Sequence, residues 1–371
     1  MMRMPITFKP NMNCRGFSLV ELMVALVITL ILLAGIGQIF LGSKKSFTIQ
    51  DSLGRMQENG RYAMETIVAD LRRAGYWGGN VNVTAIDGSL GLAATNDTCP
   101  TGDTSWGRML ERRIYGLNEA KTNYACIPNS GATNGYVRGD VLAIHFAAPW
   151  IIGGITTPNY ESDRIYLRTR LFAGKIFYGK DEALATNLLP APPPLIAAPD
   201  PVDGCPAGFQ DVLDTDGTLI NCSQAIGTFN RASELIAYAY YVGDSGQQCR
   251  GAAVPSLFRV SLSDSGTPTN IEEIAYGVDH LQVSYGLDID DDNSIDRYAD
   301  AGDSELDSPD EWDQVIAVHL WLLVRSECPE TGYTNANTYN MGDQNYTPPS
   351  GDSFRRQLYT STVRLRNINF D

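Results

Sequence analysis

Three histidines are all that this sequence holds, and none of its seven cysteines falls in a CxxC pair. The paired-cysteine motifs of zinc and thiol-redox centres are therefore missing. There is no glycine loop of the phosphate-cradling kind. Nor do Lys and Arg cluster anywhere, in a chain with 28 basic against 43 acidic side chains. A net charge of −15 repels nucleic-acid phosphates, which disfavours a general role in binding DNA or RNA. His145, His280 and His319 each fall within an expected strand, and His145 and His319 have apolar neighbours. They read as packed or surface histidines, not as bases or ligands.

What is present is a folding composition. The 371 residues are 43% hydrophobic with a mean hydropathy of −0.16, enough for two ordinary domains or one with large insertions. The charge is unevenly placed. The first sixteen residues carry Arg3, Lys9 and Arg15 and no acid, which leaves 25 basic against 43 acidic side chains in the remainder. A short basic head before an acidic body is the layout of a targeted envelope protein. Cys14 lies in that head, and the other six cysteines (Cys99, Cys126, Cys205, Cys222, Cys249 and Cys328) form an even set beyond it. Disulfides formed in an oxidising compartment are the natural reading, with reduced buried thiols as the alternative. Six cysteines permit fifteen pairings; nearest-neighbour bridges Cys99–Cys126, Cys205–Cys222 and Cys249–Cys328 are expected.

From Phe17 to Leu41 the chain reads FSLVELMVALVITLILLAGIGQIFL. As a helix rising about 1.5 Å per residue, this run crosses a hydrocarbon core of about 30 Å. It is too long for a secretory signal, and GSKKS follows it where a cleavage site would stand. Glu21 interrupts the run with no cation beside it. A carboxylate there costs a few kcal/mol on insertion scales and is usually functional. A new amino terminus on a neighbouring subunit, created by cleavage before Phe17, would give it a partner. Beyond the run, Ile49, Leu53, Met56, Gly60, Ala63, Ile67 and Leu71 step at helical period, and Gly75 is placed to end the helix. One helix of nearly sixty residues is expected.

Arg15-Gly16-Phe17-Ser18-Leu19-Val20-Glu21-Leu22 resembles the class III signal of type IV prepilins: a basic leader ending in Gly, then Phe, then Glu at the fifth mature position. The resemblance implies cleavage by a prepilin peptidase between Gly16 and Phe17, N-methylation of Phe17, and pairing of Glu21 with a neighbour's terminal amine during assembly. QENGRYA (57–63) and DLRRAGY (70–76) further resemble the PilW-type minor pilins, a likeness that is close over residues 15 to 77. It returns more loosely in GVDHLQVSYG (277–286), VIAVHLWLLVRS (315–326) and STVRLRN (361–367).

The division expected is a leader over 1–16, a membrane half of the helix over 17–42, an amphipathic half over 43–77, and a β-rich head over 78–371. The proline-rich 188–201 would split the head into two lobes near 188–204. Strands are expected at 141–148, 164–172, 175–179, 234–242, 257–262, 280–288, 315–324 and 358–366, and a long loop over 327–353. The fold class is thus α+β and type IV pilin-like: one long N-terminal helix packed on an antiparallel head. Gly243-Asp244-Ser245-Gly246 superficially resembles the serine segment of a chymotrypsin-like protease, but no histidine segment precedes it. A β-turn between strands explains it better.

Asp288, Asp290, Asp292, Ser294 and Asp296 alternate in a loop-like run, and hard oxygen ligands at this spacing suit a structural Ca²⁺. The glycine and terminal glutamate of an EF-hand are absent, and a solvated acidic loop is the plainer alternative. Asp211, Asp214 and Asp216 form a weaker second candidate. No other cofactor is expected.

The resemblance implies a non-enzymatic minor pilin that primes assembly of a type IV pilus and sits at its tip. It would be anchored in the inner membrane with its head in the periplasm before assembly, then exposed outside the cell. Its partners would be other minor pilins, the major pilin, the prepilin peptidase and a tip adhesin; direct nucleic-acid binding is not expected. Motility and adhesion are the associated cell behaviours. A type II secretion pseudopilin and a tip-borne binding module remain open as alternatives.

Overall fold

The computed structural model describes residues 18–78, 86–87, 112–119, 126–149, 160, 164–170, 173–178, 212–213, 219–220, 231–261, 270–306 and 309–367. Gly16, Phe17, Cys14, Cys99, Cys205, Cys222, the 188–204 stretch and Asp211, Asp214 and Asp216 lie outside the described residues. The chain divides into two units, Met1–Gly54 and Arg55–Asp371.

Helix α1 spans Leu19–Leu71, about 80 Å at 1.5 Å per residue. It begins where Ser18 caps it: the Ser18 hydroxyl accepts the Val20 N–H (3.2 Å), and the Ser18 carbonyl accepts that of Leu22 (3.1 Å). A turn after Leu71 carries the chain out through Gly75, whose φ of +74° is costly for any residue with a Cβ. The Gly75 N–H then donates to the His145 carbonyl (3.0 Å), so the helix exit is tied to a strand.

The strands are β1 (Ile86–Asp87), β2 (Ile114–Leu117), β3 (Tyr136–Ala147), β4 (Ile165–Arg170), β5 (Ala173–Tyr178), β6 (Val212–Leu213), β7 (Leu219–Ile220), β8 (Arg231–Cys249) and β9 (Ala252–Ser261). They continue as β10 (Asn270–Tyr276), β11 (Val278–Leu287), β12 (Arg297–Asp300), β13 (Val315–Arg325), β14 (Tyr339–Met341), β15 (Gln344–Tyr346) and β16 (Arg356–Arg364). A short helix α2 covers Pro309–Asp313. One sheet runs β1-β5-β4-β8-β3-β2, with β9 beside β8 and β10 beside β9; a second runs β12-β11-β13-β16. The described pairings are antiparallel except β1 with β5.

Each of the eight expected strands is found. The sheets meet where β3 lies on β11: Gly139 sits so close that a Cβ would be 2.7 Å from the Leu281 carbonyl oxygen. Beside it the buried Asp140 accepts the N–H of Glu119 (2.9 Å) and of Val283 (2.8 Å). Burial pushes that carboxyl up to about 8 against the pull of these two bonds. Tyr285, Tyr115 and Trp312 fill the core nearby, with Trp312 4.9 Å from Tyr285 between ring centroids. The Trp312 indole N–H is satisfied by the Leu306 carbonyl at 2.8 Å.

Two expectations change. Residues 327–353 are not a plain loop, because the β14–β15 hairpin folds back and Tyr339 and Met341 pack on Leu323 and Trp321. Gly342, at φ +65°, lets its turn rest against the Trp321 ring. And the Gly243–Gly246 segment is no turn between strands but a bulge inside β8, where the register against β9 slips between Asp244 and Gln248. Ser245 Oγ donates to the Val254 carbonyl (2.6 Å), which fixes it structurally. The strand reverses only at Arg250 and Gly251, both with positive φ.

Candidate functional site

The N-terminal turns of α1 expose a predominantly apolar surface. Leu19, Val20, Leu22, Met23, Val24, Leu26 and their successors through Leu41 are half or more exposed along the run. Among the described residues α1 is the one helix long and apolar enough to cross a membrane, and none of that apolar window is buried within the chain. Its polar side chains are managed accordingly. Thr29 and Thr48 donate to the carbonyls of Ala25 (2.7 Å) and Lys44 (3.0 Å), which shields each hydroxyl against the backbone. Glu21 sits in the first turn, where the positive end of the helix dipole favours a carboxylate. Such a surface has no reason to exist in water; it fits lipid or the apolar helices of other subunits.

The last turns of α1 belong to the second unit and are seated by a different chemistry. Met56, Gly60, Ala63, Met64, Ile67, Asp70 and Leu71 are buried. Gly60 admits the Tyr359 ring of β16, which would overlap a Cβ at 2.3 Å. Asn59 donates to the Tyr276 carbonyl (2.9 Å). Asp70 is the charged member of this face. Its Oδ2 accepts from Tyr240 Oη (2.5 Å) and Arg259 (3.3 Å), and its Oδ1 from Arg73 (3.2 Å). Arg259 also binds Glu272 (2.7 Å) and lies over the Tyr238 ring at 4.1 Å. Burial works against the Arg259 cation, but Tyr240, Tyr238 and the Glu272 bond outweigh it and raise its pKa. Burial and Asp70 raise the Tyr240 phenol. The periodicity marks this face, yet nothing in it marks Asp70 as buried, because its partners lie 170 and 189 residues away in sequence.

Cys249 and Cys328 form a disulfide that joins the end of β8 to the segment after β13. Cys126 is also disulfide-bonded. The remaining expected pairings rest on cysteines outside the described residues.

The β11–β12 loop gathers Asp288, Asp290 and Asp296, each offering one carboxylate oxygen within 4.8 Å of the others. Beside them, the Ser294 N–H and hydroxyl both donate to Asp292 Oδ1 (2.7 and 2.5 Å). Asp288 spends its two oxygens on the N–H groups of Asp292 (3.1 Å) and Asn293 (2.9 Å). Repulsion from Asp292 and Asp296 raises the pKa of the exposed Asp290. Of the five expected ligands, Asp288, Asp290 and Asp296 converge. Among the histidines, His145 is buried with Nδ1 at 2.8 Å from the Arg112 carbonyl. His319 stacks on Trp321 at 3.9 Å, and His280 lies against Tyr346 at 4.3 Å.

Two family models match the chain. Residues 11–37 match the prokaryotic N-terminal methylation motif, and residues 239–367 match type IV pilus-assembly protein W. No curated protein matches the chain. Among solved structures, a type IV-like pilin from Thermus thermophilus aligns with 65% of this chain and 83% of its own. Its identity is 12% and its TM-score 0.25, an agreement too loose to inform the topology.

Proposed function

We propose that this chain, a type IV pilus minor pilin of the PilW type, primes assembly of the filament and remains at its tip, with a structural and not a catalytic role. The observation that carries the proposal is the unpartnered apolar helix of the first unit, capped by Ser18 and bearing Glu21, ahead of a large separately cored head. A helix of this kind is held in the inner membrane before assembly and against neighbouring helices afterwards. Cleavage between Gly16 and Phe17 by prepilin peptidase, with methylation of Phe17, supplies the new terminus. Glu21 of one subunit pairs with the terminal amine of another, which draws that subunit into register. The head faces the periplasm and then the exterior, where it meets other minor pilins, the major pilin and a tip adhesin.

The match to a pilus-assembly family over the head favours a pilus over a type II secretion filament. The test is a strain lacking this chain, with surface pili counted and secreted proteins assayed in parallel. Lost pili with normal secretion is the expected result; normal pili with lost secretion would assign the chain to secretion instead. Within the head, Asp288, Asp290 and Asp296 take one Ca²⁺, which neutralises their mutual repulsion and stiffens the loop.

A further inference from the structure

The structure points to an interaction surface on the head, and we infer that its occupant is an apolar face flanked by Lys and Arg on another pilin-type subunit. The inference rests on the minor-pilin reading and names a contact that reading does not specify. Among the described residues from Ala63 onward, the large apolar side chains that stay exposed are Ile289 (47%), Ile295 (37%) and Tyr298 (44%). All three lie within ten residues, in the β11–β12 loop and the start of β12. Ile295 and Tyr298 lie side by side over Gly286, each 3.2 Å from where a Cβ would be. Tyr298 continues edge-on to His319 (6.1 Å), which stacks on Trp321. The Ile289 N–H donates to Asp296 Oδ2 (2.7 Å), which fastens the start of the loop to its end. Ile295, Tyr298, His319 and Trp321 form a continuous, pre-organised row, so a partner that covers it orders little new chain.

Charge selects the partner. Asp291 and Asp292, both exposed and outside the Asp288–Asp290–Asp296 group, rim the patch. The cation that reaches the loop, Arg364, gives its guanidinium to the Asn293 carbonyl (2.7 Å). With −15 overall, a second copy of this chain is repelled. An apolar centre with an acidic rim is complementary to an apolar centre with a basic rim.

The experiment uses the full chain in detergent micelles, with each other pilin-type subunit of the source strain, purified in the same detergent, as probe. Binding is measured from 50 to 500 mM salt for wild type, for Ile295→Ser/Tyr298→Ser, and for Asp291→Asn/Asp292→Asn. The asparagines keep the Asp292 acceptor and tolerate the positive φ of residue 291, so the loop persists; thermal melting of both variants confirms folding. The expected result is one subunit that binds wild type, about ten-fold or more weaker binding by the serine variant, and several-fold weaker binding by the asparagine variant and at high salt. Unchanged affinity in both variants, or no subunit that binds wild type, overturns the inference. Pili counted in the strain lacking the chain keep the two failures apart. Loss of pili there leaves the minor-pilin reading standing when the patch fails; unaffected pili sink that reading itself.

Discussion

At position 280 an imidazole is held where it cannot easily take a proton. Burial pushes the His280 pKa down to about 4, against the attraction of Asp279, and its Nδ1 has no hydrogen-bond partner among the described residues. Asp279 is itself committed to Arg356 (2.7 Å) and Arg138 (3.6 Å). Burial alone would raise that carboxyl, but the arginines hold it down. An unfolded histidine titrates near 6.5, so below that pH the unfolded chain binds a proton that the folded one refuses. Stability is therefore present above about pH 6.5 and lost as pH falls toward 4, by about 2 kcal/mol at pH 4.5. His280→Phe should keep the Tyr346 contact and remove this loss; urea unfolding at pH 7 and 4.5 should give a shallower pH dependence than wild type. Asp70 gives the opposite kind of test. Asp70→Ala removes the acceptor of the buried Tyr240 hydroxyl, which keeps only the Arg259 donor at 3.5 Å, and one partner of Arg259, which should cost about 3 kcal/mol. An unfolding midpoint within error of wild type would mean that the helix does not depend on this carboxylate.

At the scale of elements, what the sequence discloses depends on how locally each element is decided. β13 reads VIAVHLWLLVR, and its apolar density announces a strand that is buried whatever surrounds it. β10 reads NIEEIAY, and its paired glutamates hide a strand formed only because β9 offers an edge. The β14–β15 hairpin is three residues a side and owes its place to Trp321 and Leu323, far away in sequence. The end of the helix was legible through Gly75, because a C-terminal glycine acts within a turn; the Ser18 cap at its start is seen in the structure alone. The Cys249–Cys328 bridge spans 79 residues and closes β9 through β13 into one loop, so Cys249→Ser/Cys328→Ser should cost about 2–5 kcal/mol by unfolding under oxidising conditions. The β11–β12 loop has its own test. If Asp288, Asp290 and Asp296 take Ca²⁺, millimolar CaCl₂ should raise the melting temperature above that in EGTA, Mg²⁺ should do less, and Asp290→Asn should erase the difference. Equal melting of wild type in CaCl₂ and EGTA would leave the loop as solvated acid.

For the whole molecule, the separation into Met1–Gly54 and Arg55–Asp371 makes assembly and folding distinguishable. The core of the head is built from residues 55 onward, Met56 being its first buried member, and Glu21 contributes nothing to it. A neutral residue at position 21 is also cheaper in lipid than a carboxylate, by a few kcal/mol on insertion scales, so Glu21→Ala should insert at least as well as wild type. On the proposed mechanism, what it lacks is a counter-charge for an incoming subunit's terminal amine. The expected phenotype is therefore a stable, membrane-held chain with an unchanged melting temperature in detergent, in cells whose surface pili fall toward the level of the strain lacking the chain. Asp70→Ala should show the reverse order of effects, a destabilised head first and fewer pili only as folded protein is depleted. Normal pili in the Glu21→Ala strain would remove the carboxylate–amine pairing from the mechanism. The apolar helix surface alone would then carry recruitment.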